Sequence, residues 1–301
     1  AELHDSLYVV VGLAAGASDG KIAAYLWSDG KLHAAWSKHV GDHVCALTTV
    51  SGYVAAAIGH EVHTYAMEPH ALTFRRPWDC AFVSSCLASQ GSTLVVGDAM
   101  HSLTVLTVAE DGRLSESARD LHPYWTSAVC VLDEEQQRYL GTDVAMNLFV
   151  AERAKGTEPE SPWSHVMRHA AACHVGDLVN AIHTLPGGRV MYATASGALG
   201  TLVHVPEPVA RVLLCVQDAM IEVVPAPGDI PWESWRTSRT DTRTEPPHHI
   251  LDADVLRFFV SDPSVRPPCL DKAGSLAQAR DIPMAEMAEE RILEMLHALL
   301  S

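Results

Sequence analysis

Residues 81–108 read AFVSSCLASQGSTLVVGDAMHSLTVLTV, and residues 127–150 read SAVCVLDEEQQRYLGTDVAMNLFV. Each segment opens with a short apolar strand, turns on polar or glycine residues, runs a second strand, and begins a third strand after a glycine. The segments HVCALTTVSGYVAAAIGHEVHTYAM (43–67) and LVNAIHTLPGGRVMYATASGALGTLVHV (178–205) repeat this layout. LYVVVGLAAGASDGKIAAYLW (7–27) resembles an earlier copy that lacks its first strand. The marker glycines of the five copies are Gly12, Gly59, Gly97, Gly141 and Gly197.

Such a strand unit, repeated at a period of roughly 40–50 residues, is typical of β-propeller blades. β-Branched runs such as Val9 to Val11 fit strands that are packed on both sides, as they are between blades. A β-sandwich is the alternative, although the recurring glycine break favours the propeller. The dipeptide Trp78-Asp79 does not recur, so the repeat is not of the WD40 type. The expected fold class is mainly β, with these blades forming the latter part of a ring whose first blades lie upstream.

The pattern changes after Val205, where prolines end the strands. Apolar residues then recur with helical spacing in 209–224, 251–259 and 284–300. The sequence therefore predicts two domains, namely propeller blades over 1–205 and a small α-helical C-terminal domain over 206–301.

Composition limits the kinds of partner. The chain of 301 residues has a formal net charge of −16, and 48% of its residues are hydrophobic. Because phosphate binding depends on Lys and Arg, direct binding to nucleic acid is disfavoured, and we expect contact with DNA only through a partner. The seven cysteines form no CxxC pair, which favours reduced thiols in the nucleus or cytosol. No apolar run reaches the roughly 20 residues that a membrane span requires, so no membrane partner is expected.

Sequence motifs for catalysis, cofactors and metals are not found. The sequence has no GxSxG elbow, Walker loop or GxGxxG. The pair His60 and His63 has the wrong spacing for a zincin and lies in a strand pattern, where the two rings would point to opposite faces. We therefore predict no catalytic, cofactor-binding or metal-binding residues, and no enzyme activity.

Two sets of polar residues are predicted to have structural roles. Asp98 and Asp143 recur at equivalent blade positions, which favours carboxylates that cap turns. Arg236, Arg239 and Arg243 form a basic cluster. A phosphate or acidic-partner site is possible there, but we expect the cluster, with Trp232 and Trp235, to tie a loop onto the propeller and the helices.

Four patches carry a family resemblance. They are PYWTSAV (123–129), LG with MNLFV (140–150), HVGDLVN (174–180) and WR through TEP (235–246). They are similar to the large subunit of the damaged-DNA-binding protein, the adaptor of cullin-RING ubiquitin ligases. That family shares a superfamily with the A subunit of the cleavage and polyadenylation specificity factor (CPSF) and with splicing factor 3b subunit 3. The Thr244-Glu245-Pro246 motif favours the ligase adaptor over its RNA-processing cousins.

The resemblance covers only the C-terminal part of such an adaptor. Members of the family have three propellers and a helical domain. The first and third propellers grip substrate-receptor proteins, and the second binds the cullin. The resemblance therefore implies half of the receptor cleft, occupied by a helical motif of WD40-type receptors, while the cullin would bind only through the missing upstream propeller.

Matching positions supply the expected contact residues. Trp125 is the expected anchor. Val144 and His101 stand where the family usually shows a polar amide and an arginine, so they depart from its pattern. An aromatic residue ringed by small residues has the form of an interface hot spot. Without the resemblance, a buried blade anchor would be the favoured interpretation of Trp125. The complete set is Trp125, Ser127, Ala128, Leu178, Asn180, Ala181, Met146, Val144, Phe82, Val83 and His101.

The function implied is that of a non-enzymatic scaffold in protein ubiquitination and DNA damage repair, in the nucleus and also the cytoplasm. The alternative within the superfamily is a splicing or polyadenylation subunit, which would bind nucleic acid in mRNA processing. The alternative from another class is a propeller enzyme with its site at the central channel.

Overall fold

The computed structural model describes residues 2–3, 6–16, 19–68, 71–153 and 165–300. Five antiparallel sheets follow one another along the chain and are arranged as the blades of a β-propeller. Five α-helices follow the last blade strand, and a two-stranded antiparallel sheet (Ser238–Arg239 with Thr244–Glu245) lies between the second and third of them. No helix among the described residues has the length and apolar character needed to span a membrane.

Each blade is a simple meander of neighbouring strands. Blade 1 contains β1 (Glu2–Leu3), β2 (Ser6–Gly16), β3 (Asp19–Ser28) and β4 (Lys31–Val40). Blade 2 contains β5 (Val44–Val50), β6 (Tyr53–Ile58), β7 (Glu61–Glu68) and β8 (Ala71–Asp79). Blade 3 contains β9 (Ser84–Gln90), β10 (Thr93–Asp98), β11 (Leu103–Val108) and β12 (Leu114–Arg119). Blade 4 contains β13 (Thr126–Asp133), β14 (Arg138–Asp143), β15 (Asn147–Arg153) and β16 (Met167–His174), and blade 5 contains β17 (Val179–Thr184), β18 (Val190–Thr194) and β19 (Leu199–Leu202).

The predicted three-stranded unit is incomplete in blades 2 to 4, because each has a fourth, outer strand. These strands, β8, β12 and β16, lie beyond the repeated segments, and most of their residues are exposed or half-buried. Outer strands receive less cover from neighbouring blades, so they lack the apolar alternation that identified the other strands. The sequence also predicts that the first copy lacks its first strand, but β1 precedes β2 and pairs with it.

The blades pack through their inner strands. β5 contacts β2 and β9, and β13 contacts β9 and β17. Between blades 3 and 4, the core includes Val95, Leu103, Val129, Tyr139 and Phe149, all buried. A blade that stacks in this way buries both faces, which explains why its central strands are almost wholly apolar.

The marker glycines do not occupy equivalent positions. Gly97 pairs with Cys86, whereas Gly141 lies one residue earlier in its blade and pairs with Val129. Gly59 and Gly197 lie in the turns after the second strand, both with positive φ. The glycines therefore meet different local requirements, and they do not mark one strand break that repeats in each blade.

The helical region begins with α1 (Glu207–Val223), α2 (Trp232–Arg236) and α3 (Ala253–Ser261), and ends with α4 (Arg266–Ala279) and α5 (Glu289–Leu300). The helix predicted over 284–300 is divided, because a 3-10 helix (Met284–Met287) precedes α5 and Ala288 between them is extended. The sequence did not predict α4. Its buried residues are small (Cys269, Ala273, Gly274 and Ala277), so they give little apolar periodicity.

The segment between α2 and α3 lies against blade 4. Arg236 Nε donates to Asp252 Oδ2 at 2.7 Å, and Trp232 Nε1 donates to the same oxygen at 2.8 Å. Arg243 pairs with Glu245 at 3.2 Å. Arg236 Nη1 also donates to His174 O on β16 at 3.4 Å, so Arg236 ties the segment to the propeller and, with Trp232, to the start of α3 as predicted. The Arg243 pair lies within the segment, and Trp235 is about half exposed.

Candidate partner-binding face

One face of the propeller is formed by the segments that enter each first strand and by the turns between the second and third strands. We call it the upper face. A backbone hydrogen bond joins these two elements in four blades. The bonds are Gly59 N to His43 O (3.2 Å), Ala99 N to Val83 O (2.8 Å), Val144 N to Trp125 O (2.9 Å) and Ala195 N to Leu178 O (2.8 Å).

A β-bulge lies just below each of these bonds. The pairing register omits Cys45, Ser85, Ser127 and Asn180, each the second residue of its inner strand. A bulge leaves the extra residue outside the ladder and re-aims its side chain. Two predicted contact residues, Ser127 and Asn180, thus share a repeated structural position that the sequence did not reveal.

The predicted turn carboxylates are confirmed. Asp98 Oδ1 accepts from Met100 N at 2.8 Å and His101 N at 3.0 Å, while Oδ2 accepts from Phe82 N at 2.8 Å. In blade 4, Asp143 Oδ1 accepts from Asn147 N at 2.9 Å. Burial raises the pKa of Asp143, and hydrogen bonds from Asn147 offset this only in part. These carboxylates fix the shape of the upper face by holding its turns.

Trp125 projects from a fixed stretch of backbone. Its side chain is 54% exposed, whereas those of Tyr124 and Thr126 on either side are buried. Tyr124 O accepts from Ser102 N at 2.9 Å, and Thr126 Oγ1 donates to Ser102 O at 2.9 Å. The exposure argues against a buried blade anchor, and the clamped neighbours mean that little backbone entropy would be lost on binding.

Met146 lies beside this anchor in an unusual conformation. Its φ is 66°, in the left-handed region that glycine and asparagine normally occupy. Its N–H donates to Asp143 O at 3.1 Å, and its carbonyl accepts from Val175 N at 2.8 Å. The turn therefore holds a large exposed apolar side chain where a glycine would be less strained.

The expected contact residues are divided among three blades. Blade 4 supplies Trp125 and Val144, both exposed, together with Met146 and the half-buried Ser127. Ser127 Oγ hydrogen bonds with Thr142 Oγ1 at 3.0 Å. Ala128 is only 5% exposed and pairs with Thr142 in the sheet, so it has little surface to offer a partner.

The flanking blades supply the remaining expected residues. On blade 3, Phe82 and His101 are exposed and Val83 is half-buried. On blade 5, Asn180 and Ala181 are exposed and Leu178 is half-buried. Their positions on neighbouring strand ends place all three groups on or directly below the upper face.

Sequence reasoning did not identify three other apolar residues on this face. Met100 lies in the turn of blade 3, Leu121 in the segment that enters blade 4, and Leu199 at the first position of β19, and all three are exposed. The sequence does contain a signal for Met100, because this large apolar residue follows the turn carboxylate Asp98 by two positions. Together with Phe82, Trp125, Val144 and Met146, these residues make the upper face an extended apolar surface, as interaction sites commonly are.

Comparison with known proteins agrees with this architecture. The sequence pattern of the CPSF A subunit region matches residues 6–261. The chain is 27% identical over 260 residues to DNA damage-binding protein 1a of Arabidopsis thaliana, covering 80% of this chain and 24% of that protein. It is 27% identical over 261 residues to DNA damage-binding protein 1 of Solanum lycopersicum, with the same two coverages.

A relative from an animal shows the same extent of similarity. DNA damage-binding protein 1 of Drosophila melanogaster is 27% identical over 258 residues, covering 80% of this chain and 22% of that protein. The chain thus spans about a quarter of the length of these curated relatives. With most of its residues matched by the family pattern, the chain belongs to the CPSF A subunit family.

Proposed function

We propose that this chain forms part of a non-enzymatic adaptor of a cullin-RING ubiquitin ligase. Its upper face holds substrate-receptor proteins, and its work lies in protein ubiquitination and DNA damage repair. The observation that carries the proposal is Trp125, an exposed aromatic side chain on clamped backbone within an extended apolar face. Trp is among the residue types most enriched in interface hot spots.

The partner we propose is a WD40-type receptor that inserts a helical motif. An apolar face with an aromatic anchor suits the apolar side of an amphipathic helix. The cullin would bind through an upstream propeller. DNA would be reached only through a partner, since a chain with net charge −16 repels phosphates. Localisation in the nucleus, and also in the cytoplasm, is part of this proposal.

The proteins that co-purify with this chain would distinguish the adaptor from two other functions. A splicing or polyadenylation subunit of the same superfamily would co-purify with other RNA-processing subunits. The relatives are all named DNA damage-binding proteins, which favours the adaptor. A propeller enzyme, the alternative from another class, would show turnover without any of these partners.

The test is co-purification of the tagged protein from its own cells, as wild type and as two matched variants. Trp125→Ala removes the upper-face anchor, and Trp235→Ala removes a similarly exposed tryptophan on α2. We expect Trp125→Ala to lose roughly 2 kcal/mol or more of receptor binding, or about 30-fold in affinity. Trp235→Ala should bind as wild type does.

The outcomes contradict the proposal in separate ways. Equal receptor binding by wild type and Trp125→Ala would show that the upper face does not bind the receptor. Recovery of RNA-processing subunits in place of a cullin and receptors would support the alternative in the same superfamily.

A further inference from the structure

A buried polar cluster lies on blades 3 and 4, apart from the exposed anchor. It consists of Asp120 and His122, which follow β12, and His169 on β16. His122 Nδ1 lies 2.5 Å from Asp120 Oδ1, and His169 Nε2 lies 2.9 Å from Asp120 Oδ2. The side chains of Asp120 and His169 are 0% and 3% exposed, while that of His122 is 26% exposed. We call these three residues the Asp120 cluster.

Several donors surround the buried carboxylate of Asp120. The backbone N–H of His122 also donates to Asp120 Oδ1, at 3.2 Å. Ser102 Oγ donates to Asp120 Oδ2 at 2.6 Å. The rings of Tyr124 and Phe149 stack on His169 at 5.3 and 4.9 Å. An anion in an apolar cage of this kind calls for a cation or strong donors nearby.

A neutral His169 ring has too few hydrogen atoms for both of its carboxylate contacts. His169 Nε2 must carry a hydrogen to donate to the Asp120 carboxylate, so Nδ1 of a neutral ring carries none. Nδ1 faces Glu245 Oε2 at 4.0 Å. Both atoms are buried and neither has a hydrogen-bond partner among the described residues, although Arg243 Nη2 lies 3.2 Å from Glu245 Oε2 without bonding geometry. Two buried acceptors that face each other are unfavourable, so Nδ1 needs a hydrogen, supplied either by a second ring proton or by a metal that displaces the hydrogen on Nε2.

We propose that the Asp120 cluster is a binding site for a borderline divalent cation, zinc, with Asp120 Oδ, His122 Nδ1 and His169 Nε2 as ligands. One carboxylate oxygen and two imidazole nitrogens are a common zinc ligand set. Zinc on His169 Nε2 moves the ring hydrogen to Nδ1, which then donates to Glu245. That arrangement, with a carboxylate holding the far nitrogen of a metal-bound histidine, is the usual second shell of zinc sites.

The cluster has the dimensions for the ion. The ligand atoms lie within 4.8 Å of one another, and ligands at the usual zinc distances of about 2.0–2.2 Å are separated by roughly 3.3 Å in tetrahedral geometry. Zinc binding therefore requires the ring nitrogens, now 2.5 and 2.9 Å from the carboxylate oxygens, to draw back to that separation. The partly exposed edge of His122 leaves a route for a fourth ligand from solvent.

The inferred role is structural. Glu245 belongs to the segment between α2 and α3, so the ion would join this segment to blades 3 and 4 through His169. The expectation of no metal site rested on local spacing and stays untested. Local spacing carries no information about a cluster whose histidines are separated by more than a turn or a loop in the chain.

The test uses zinc and cobalt(II) as probes on the untagged chain after treatment with a chelator. We expect one tightly held zinc per chain by elemental analysis after dialysis, a raised melting temperature, and visible absorption bands of tetrahedral cobalt. His122→Gln, at the partly exposed edge, should weaken zinc binding at least tenfold while the chain stays folded. Glu245→Gln should weaken it by about tenfold.

A control and a second ligand variant keep the result interpretable. His183→Gln changes an exposed histidine on β17 and should bind zinc as wild type does. His169→Gln should abolish the cobalt bands, provided that its circular dichroism is unchanged. The inference is overturned if folded wild type holds no stoichiometric zinc, or if His122→Gln and His183→Gln bind it equally.

Discussion

The side chain of Asn147 on blade 4 holds the backbone of Arg239 in the manner of a neighbouring strand. Asn147 Nδ2 donates to Arg239 O at 3.0 Å, and Arg239 N donates to Asn147 Oδ1 at 3.2 Å. The same Nδ2 donates to Asp143 Oδ2 at 2.9 Å. One buried amide thus links a turn carboxylate of the propeller to the segment between α2 and α3.

Asn147→Ala should destabilise the chain by about 2–4 kcal/mol. The substitution leaves both backbone groups of the exposed residue Arg239 and one oxygen of the buried Asp143 without their partner. A buried unpaired group costs roughly 1–3 kcal/mol, and the partly buried backbone groups of Arg239 add a smaller loss. Urea unfolding measures the loss. Asn180→Ala, at an exposed position, is the control and should change stability by less than about 0.5 kcal/mol. Equal losses in the two variants would mean that the Asn147 link contributes nothing.

Trp125→Ala and Tyr124→Ala should affect stability very differently, although the residues are adjacent. Tyr124 is 3% exposed and contacts the ring of Phe149 at 4.9 Å, so its truncation should cost about 3–5 kcal/mol. Trp125→Ala should cost less than about 1 kcal/mol because the side chain is mainly in solvent. Thermal unfolding of both variants measures the two losses of stability. A loss for Trp125→Ala as large as that for Tyr124→Ala would make Trp125 a blade anchor.

Met146→Gly should separate stability from binding. Relief of the positive φ favours glycine by roughly 1 kcal/mol, while the added freedom of the unfolded chain offsets much of this gain. The unfolding free energy should therefore stay level or rise, and receptor affinity should fall. Met100→Gly, at an exposed turn residue without positive φ, should lose roughly 0.5–1 kcal/mol. Equal destabilisation of both variants would show that Met146 is not strained.

Gly141→Ala should destabilise blade 4 because the new methyl group would meet a fixed ring. A Cβ at Gly141 would lie 2.4 Å from Phe149 Cζ, and Phe149 is fully buried. Overpacking of this kind costs about 1–3 kcal/mol. Gly41→Ala has no atom within 4 Å of the added carbon and serves as the control. If the two variants unfold at the same denaturant concentration, the Phe149 ring must move freely.

Asp252→Asn should lose stability in a pH-dependent way. Burial raises the pKa of Asp252, but hydrogen bonds from Arg236 and Trp232 and the charge of Arg236 more than offset it, so the pKa lies below its usual value. A carboxyl with a lowered folded pKa contributes stability that is present above the unfolded pKa of about 3.9 and is lost as pH falls through the folded pKa.

The expected observation is a gap between wild type and Asp252→Asn that is widest near neutral pH and closes as the pH falls below about 4. Urea unfolding at a series of pH values measures it. Asp241→Asn, at an exposed position, should follow wild type throughout. A gap that does not change with pH would mean that the charge of Asp252 contributes nothing.

Several features follow from the sequence because their causes are local. The central strands are apolar on both faces, and the turn carboxylates Asp98 and Asp143 bond to backbone within a few residues. The helices α1 and α3 carry apolar stripes with helical spacing, which is a property of neighbouring residues. The propeller class and the following helices could therefore be predicted directly.

Other features depend on what packs against each residue, and only the tertiary structure decides them. The spacing of α4 gives little signal because its small buried residues fit against other helices. Nothing in the local sequence distinguishes the buried Tyr124 from the exposed Trp125, since the difference arises from Phe149 and His169 on other strands. The Asp120 cluster likewise joins residues from two blades and a distant segment. Local sequence determined which elements form, and the burial supplied by distant strands determined which side chains remain available to a partner.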